Sequence, residues 1–160
     1  MTRSFSNTQT KKNLEAAFAG ESMANRKYLY FAKLARELGD EEVAKVFEET
    51  AQQETQHAFS HLSLIYPKET LSVEKLLELA IAGERYEHTV MYPGFEKKAQ
   101  EENDLGAVEK FKEQTVESKD HEDNFKKTLE LARKKFAALK VVEKIHADNY
   151  QKVLDKRRGA

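Results

Sequence analysis

The sequence of 160 residues contains no cysteine. Disulfide bonds, thiolate nucleophiles, cysteine-based zinc sites and cysteine-bound iron–sulfur clusters are therefore excluded for this chain, and a metal would need carboxylate and imidazole ligands. Only two prolines and six glycines occur, while 39% of the residues are hydrophobic and 34% are charged. This composition is typical of an all-α protein with a polar surface and argues against all-β and collagen-like classes.

Long apolar runs and an excess of one charge are also missing. No run of 18 apolar residues occurs, and the N-terminal sequence MTRSFSNTQTKK lacks the apolar core of a signal peptide. The net charge is -1, with acidic and basic residues mixed along the chain, which argues against nucleic-acid binding. We therefore expect one domain over residues 1–160, located in the cytoplasm, with neither membrane nor nucleic acid as a partner.

Apolar residues recur at three- and four-residue spacing, which predicts amphipathic helices. The first three are expected at about 8–38, 40–66 and 72–103, and Asp40 and Ser72 are expected to cap the second and the third. Pro93-Gly94 should kink the third helix, because proline removes one backbone hydrogen bond. No glycine or proline interrupts the sequence between Gly106 and Gly159. The last fifty residues are therefore compatible with a single helix.

Short internal repeats indicate two related helix pairs. Segments 17–21 and 80–84 share the pattern Ala-x-Ala-Gly-Glu, and segments 54–58 and 143–147 share Glu-x-x-His-Ala.

A tandem repeat relates residues 107–131 to residues 132–156, with ten of 25 positions identical. The Glu-x-x-His pair of the second copy is Glu143 and His146, whereas the first copy has Ser118 and His121. Twenty-five residues are close to seven turns of about 3.6 residues, so the repeat keeps its helical phase. We interpret 107–131 as an extra helical copy of the last helix and 132–156 as the ligand-bearing copy.

Five glutamates fall within the apolar stripes of their helices rather than on the solvated faces. Isolated buried charges are costly, and like charges that share a site raise one another's pKa, so a cationic partner is expected. One Glu from each of two helices and a Glu-x-x-His pair from each of two others form the ligand set of di-iron and di-manganese bundles. The predicted metal ligands are Glu21, Glu54, His57, Glu84, Glu87, Glu143 and His146.

The alternative to a metal site is a set of solvated charges whose helical phase is misassigned. A single Glu-x-x-His pair arises easily by chance, whereas two pairs on matching apolar stripes favour a site. His121, next to Ser118, is interpreted as a remnant of the duplication, with metal binding beside Glu117 as the alternative. His61 and His88 are interpreted as surface groups or as groups that support the ligands.

Several segments together resemble the di-iron domain of rubrerythrins over nearly the whole chain. They are Ala-Phe-Ala-Gly-Glu-Ser at 17–22, the Glu54/His57 pair, Gly-Glu-Arg-Tyr-Glu at 83–87, Met-Tyr-Pro at 91–93 and Val-Glu-Lys-Ile-His-Ala-Asp-Asn-Tyr at 142–150. The resemblance implies a ferritin-like four-helix bundle with two iron ions, which manganese or zinc can replace. It also implies reduction of hydrogen peroxide to water.

The resemblance further implies roles for individual residues. Glu87 would be the extra carboxylate that exchanges with His57 as iron changes oxidation state, and Tyr28 and Tyr92 would lie behind the ligands; these four residues are the catalytic candidates. Two departures from the family pattern are the extra 25-residue segment and the lack of a cysteine-ligated rubredoxin domain. An external electron donor, rubredoxin-like or another reductase, is therefore expected.

Two functional alternatives remain open. The same centre would suit a di-iron oxidase or ferroxidase that handles iron, and a structural bundle with a vestigial or zinc-filled site is the third possibility. The length of the last helix also leaves two architectures. A homodimer with swapped C-terminal helices is one, and a five-helix monomer that folds back near residues 130–135 is the other.

Overall fold

The computed structural model describes residues 8–159, which form helices joined by short turns. The helices are α1 (Gln9–Glu37), α2 (Glu41–Ile65), α3 (Val73–Tyr86), α4 (Tyr92–Glu102) and α5 (Leu105–Arg158), with a 3₁₀ turn at Lys68–Thr70 and a π-helical turn at Glu87–Met91. The predicted all-α class is confirmed. The chain divides into two compact units, with the boundary between Leu71 and Ser72. Within residues 8–159, no helix combines the length and the apolarity that crossing a bilayer requires.

Side-chain caps start the first three helices where the sequence predicts them. Thr8, Asp40 and Ser72 each accept a hydrogen bond from the backbone N–H three residues later, at 3.2, 3.0 and 3.1 Å. Such caps satisfy N–H groups that have no partner inside the helix. Gly39 closes the turn between α1 and α2 with a φ of +88°, a conformation that other residues adopt at a steric cost.

The first unit is a helical hairpin in which small side chains bring α1 and α2 together. Ala44, Ala51 and Ala58 recur every seven residues along α2, and each is at most 6% exposed. Ala32 of α1 lies against this seam, and Phe47 packs beside it. A seven-residue spacing keeps the alanines on one face of the helix, so the two backbones approach closely along its length.

Asn25 fixes the register of the hairpin. Its Nδ2 atom donates to the backbone oxygen of Ala51 at 2.7 Å and to Oγ1 of Thr55 at 2.9 Å. At the turn end of the hairpin, the Arg36 guanidinium forms two hydrogen bonds with the Glu48 carboxylate, at 2.6 and 2.7 Å. These contacts specify how far α1 is shifted along α2, which the alanine seam alone does not.

In the second unit, α3 and α4 are joined by a π-helical turn. The sequence predicts a proline kink at Pro93; the structure instead places the irregularity just before it, at Glu87–Met91. The backbone N–H of Tyr92 bonds to the oxygen of Glu87, five residues back. Because Pro93 has no N–H, the usual bond to Thr89 cannot form, and the wider turn accommodates this loss.

The carboxylate of Glu122 holds α3 and the π-helical turn against α5. It is 2% exposed. Oε1 accepts from Arg85 Nε at 2.7 Å and lies 2.9 Å from Lys126 Nζ, and Oε2 lies 2.8 Å from His88 Nε2. Hydrogen bonds from Lys126, His88 and Arg85 lower the pKa of Glu122 to about 2. This buried charge is therefore neutralised by side chains of its own unit.

Helix α5 runs for 54 residues without a break, a length of about 80 Å at 1.5 Å per residue. The predicted continuous helix is confirmed, and the alternative that folds back near residues 130–135 is wrong, because that segment is regular α-helix. The two copies of the repeat have different surroundings. Leu129 is 7% exposed, whereas Leu154, the equivalent residue of the second copy, is 48% exposed.

The alanine seam should not accept a larger side chain. We expect Ala44→Leu to destabilise the protein by about 1–3 kcal/mol, because the extra atoms would force α1 and α2 apart. Chemical denaturation followed by circular dichroism measures this. Ala16→Leu, at an exposed position of α1, is the matched control and should leave stability nearly unchanged; equal effects would contradict close packing at Ala44.

The Glu122 cluster should make the second unit sensitive to acid. The pKa of Glu122 is lowered from 4.5 to about 2. The stabilising effect of its carboxylate is therefore fully present above pH 4.5 and is lost as the pH falls towards 2. We expect Glu122→Gln to reduce stability at pH 6 and to flatten its dependence on pH between 5 and 2. Glu113→Gln, at an exposed position of α5, should keep the wild-type profile. An unchanged profile in Glu122→Gln would exclude this role.

Candidate metal centre

The first unit brings three predicted ligands together. Candidate ligand atoms of Glu21, Glu54 and His57 all lie within 4.8 Å of one another. His57 Nδ1 is 3.0 Å from Glu54 Oε2 and 4.0 Å from Glu21 Oε2. The three-residue spacing places Glu54 and His57 on one face of α2, and the register set by Asn25, one turn after Glu21, places α1 beside that face.

The two carboxyl groups of this cluster shift each other's pKa in opposite directions. A hydrogen bond with Glu54, with a further contribution from burial, raises the pKa of Glu21. The hydrogen bonds from Glu21 and His57 lower the pKa of Glu54. One carboxyl is therefore protonated more readily and the other less readily than a free glutamate, as expected for like charges in close contact. A bound cation would favour the charged form of both carboxyl groups.

The second unit brings Glu84 and Glu87 against the first copy of the repeat. The Ser118 hydroxyl donates to Glu87 Oε2 at 2.9 Å, and His121 Nδ1 lies 3.4 Å from Glu84 Oε2. Ser118 is 4% exposed. His121, interpreted from the sequence as a remnant, therefore faces a predicted ligand, whereas Glu117 is exposed.

Glu143 and His146 lie on the exposed part of α5. Twenty-five residues separate Glu143 from Ser118, which is about 37 Å along a continuous helix. Within the second unit, the structure thus places the first copy of the repeat, and not the ligand-bearing second copy, against Glu84 and Glu87. The assignment of Glu143 and His146 as ligands stays a prediction.

The two tyrosines predicted to support the site pack on aromatic rings. Tyr28 stacks on Phe47 with ring centroids 6.0 Å apart, and Tyr92 stacks on Phe111 at 6.3 Å. Burial raises the pKa of Tyr92, and the nearby charge of Glu87 raises it further. Tyr92 therefore keeps its proton and lies in the field of a predicted ligand, while the role of Tyr28 stays a prediction.

The two remaining histidines have different surroundings. His88 is bound to Glu122, which is not a predicted ligand, so a role of His88 in supporting the ligands stays a prediction. His61 is half-buried, and its charge lowers the pKa of Glu21. Asn25 and Glu122 were not predicted from the sequence. For Glu122, the available sequence signal was Lys126, four residues later, because this spacing favours an ion pair on a helix. No local sequence signal indicates the role of Asn25.

The donor set suits a transition metal. Among the residues that the structure describes, no lysine or arginine forms an ion pair with any of the four predicted carboxylate ligands between α1 and the π-helical turn, while Glu122 has two such partners. Carboxylate oxygens with imidazole nitrogens are ligands of iron, manganese and zinc. The residues present therefore fit a metal centre without cysteine. The four carboxylates are Glu21, Glu54, Glu84 and Glu87.

Comparison with known proteins assigns the chain to a family. The sequence model named Rubrerythrin matches residues 12–129. Rubrerythrin of Porphyromonas gingivalis is 39% identical over 113 residues, which are 64% of this chain and 56% of that protein. Putative rubrerythrin of Methanocaldococcus jannaschii is 31% identical over 141 residues, which are 76% of this chain and 69% of that protein.

Nigerythrin gives a match of similar strength. The protein of Nitratidesulfovibrio vulgaris is 42% identical over 114 residues, which are 64% of this chain and 56% of that protein. A solved structure of nigerythrin in a mixed-valence state is 35% identical, covers 81% of this chain and 70% of that chain, and has a TM-score of 0.38. The match to this chain covers little more than half the length of the P. gingivalis rubrerythrin and of the N. vulgaris nigerythrin.

The family match ends at residue 129, inside the first copy of the repeat. The matched region includes the carboxylate–histidine cluster of the first unit, the α3 carboxylates and His121. Together with the identities above, this shows that the protein belongs to the rubrerythrin family.

Proposed function

We propose that this protein is a di-iron hydroperoxide reductase that converts hydrogen peroxide to water. The observation that carries the proposal is the cluster of Glu21, Glu54 and His57, whose ligand atoms lie within 4.8 Å of one another, in a member of the rubrerythrin family. Neither carboxylate has a lysine or arginine partner among the described residues. A cluster of this kind is stable only with a proton or a cation bound, which supports a metal-binding role.

Two iron ions are proposed for the centre, with manganese or zinc as substitutes. The ligands proposed are Glu21, Glu54, His57, Glu84, Glu87, Glu143 and His146. The reduced iron pair would supply the two electrons that, with two protons, convert one hydrogen peroxide into two water molecules. The role of the protein is to hold the oxygen and nitrogen ligands on helices and to surround them with side chains that keep one protonation state.

Glu87 is proposed as the carboxylate that adjusts during the reaction, in exchange with His57. It is the first residue of the π-helical turn, a distortion that often marks functional sites. Its carboxylate is held by the Ser118 hydroxyl at 2.9 Å and by no lysine or arginine among the described residues. A single hydrogen bond from an uncharged hydroxyl is a weaker constraint than the ion pairs of Glu122, so the Glu87 side chain is freer to rotate than that of Glu122.

Tyr92 is proposed to support the centre through its proton. Burial and the charges of Glu87 and Glu84 oppose ionisation of its hydroxyl, so the phenol remains a hydrogen-bond donor in this part of the second unit. Tyr28 is proposed for the corresponding role in the first unit, where its ring is held by Phe47.

The electron donor and the location complete the proposal. The chain contains no cysteine that would bind the iron of a rubredoxin domain, so electrons are proposed to come from an external donor, a rubredoxin-like protein or another reductase. The reducing cytoplasm is the proposed location, because the resting centre would be kept in its reduced form there.

Metal content tests the centre. Reconstituted protein should bind two iron ions per chain, and Glu54→Ala should lose most of the bound metal, because Glu54 contacts both His57 and Glu21. Glu117→Ala, at an exposed position, is the matched control and should bind like the wild type. Elemental analysis gives both values. One ion or fewer per chain in fully reconstituted wild type would contradict a two-metal centre.

The choice of oxidant tests the reaction. The anaerobically reduced protein should react faster with hydrogen peroxide than with oxygen in stopped-flow measurements. Glu87→Ala should slow the peroxide reaction by roughly tenfold or more, the usual effect of removing a group that supports a metal site. Glu109→Ala on the exposed face of α5 should not. Equal or reversed rates with the two oxidants would favour a ferroxidase, and an unchanged rate in Glu87→Ala would remove this residue from the mechanism.

A further inference from the structure

The C-terminal part of α5 extends beyond the rest of its unit. Arg133 marks the point of departure, with its Nη2 atom 3.1 Å from Glu78 and its Nε atom 3.4 Å from Glu74, in the first turn of α3. The helix continues for residues 134–158, which we call the overhang, over about 38 Å. Every residue of the overhang is exposed.

The overhang carries many large apolar side chains. A helix of 25 residues without tertiary contacts is only marginally stable in water, and apolar residues on a stable surface helix are normally covered. Eight large apolar residues, each at least 46% exposed, are Phe136, Leu139, Val141, Val142, Ile145, Tyr150, Val153 and Leu154. This number indicates a surface that another protein segment covers.

The tandem repeat shows what kind of surface it is. In the first copy, Phe111 is half-buried and Leu129 is 7% exposed where they pack within the second unit. The equivalent residues of the overhang, Phe136 and Leu154, are 46% and 48% exposed. The overhang therefore presents a face with the same helical phase as one that packs against helices in this protein.

Charge identifies the partner helix. The overhang has eight lysines and arginines and three acidic residues, a net charge of +5 with His146 neutral. Two overhangs side by side would repel each other. Helix α2, from Glu41 to Ile65, has five glutamates and one lysine, a net charge of -4. Helix α1, from Gln9 to Glu37, has six lysines and arginines and three glutamates, a net charge of +3. Within the hairpin, only α2 is therefore complementary in charge to the overhang, and α2 carries Glu54 and His57.

The ligand pattern requires a second chain. Ser118 of the first copy is equivalent to Glu143 of the second copy, so the first copy supplies no carboxylate at that position. Glu143 lies about 37 Å along α5 from Ser118, which contacts Glu87, and the helix does not bend back. A centre that uses Glu143 together with Glu84 and Glu87 must therefore draw them from two chains.

We infer that the overhang of one chain docks on the α1–α2 hairpin of a second copy, where Glu143 and His146 join Glu21, Glu54 and His57. The two-fold operation then covers both overhangs and completes two identical sites. The ligand part of this inference rests on the proposed di-metal function, whereas the docking part does not.

Mass and surface variants test the docking. The full-length protein should be a dimer of twice 18.4 kDa in sedimentation experiments at micromolar concentration, with or without metal. Phe136→Glu, on the face equivalent to the packed face of the first copy, should shift the mass towards the monomer. Val141→Glu is the matched control, because its equivalent Val116 is 63% exposed, and it should remain dimeric. A monomeric wild type, or equal behaviour of the two variants, would overturn the docking even if the metal centre is correct.

Complementation tests the shared ligands. Glu54→Ala and Glu143→Ala should each lose metal, whereas their co-expressed mixture should recover about a quarter of the wild-type metal content, since half of the dimers are mixed and each has one intact site. The mixture of Glu21→Ala with Glu54→Ala should recover none, because every hairpin then carries a defect. No recovery in the first mixture, from a dimeric protein whose wild type binds metal, would overturn the sharing. A wild type that is dimeric but binds no metal would overturn the proposed function and the ligand part, and leave the docking supported.

Discussion

Negative charge on the inner faces of helices is the constraint on which this structure depends. The negative charge of each carboxylate that is turned away from water must be compensated, and different carboxylates in this chain have different compensating partners. Glu122 is balanced by Arg85, His88 and Lys126 and becomes a structural contact. Glu21 and Glu54 have only the imidazole of His57 within ion-pair distance among the described residues, and their proximity raises the pKa of Glu21 and lowers that of Glu54. The difference in partners, more than burial, separates a structural carboxylate from a candidate ligand.

Local signals in the sequence were sufficient for the helices and for part of the site. Helix caps and the three-residue spacing of Glu54 and His57 depend only on residues within one or two helical turns, so they can be predicted directly from the sequence. The π-helical turn was not predicted, because Pro93 shows which backbone bond is lost but not how the chain compensates. Glu122 was missed because Arg85 and His88 lie more than thirty residues away in sequence and meet it only in the folded unit.

The tandem repeat shows another limit of sequence reasoning. Both copies have the same helical phase and share a histidine at the equivalent position, so periodicity alone does not tell which copy packs on α3. The decisive factor is chain connectivity: the copy nearest to α4 reaches α3 first and occupies it, whatever its ligands are. Chemical completeness favoured residues 132–156, whereas connectivity placed residues 107–131 against Glu84 and Glu87.

The π-helical turn also fixes the length of its segment. Pairing over five residues instead of four accommodates one more residue than a regular α-helical turn. Deleting a residue there to restore regular pairing would rotate everything after it by about 100° relative to α3. The Tyr92 ring would then leave Phe111, and the helix would present a different side to α5. The segment from Glu87 to Met91 can therefore change in residue type more easily than in residue number, and natural insertions or deletions should be strongly disfavoured there.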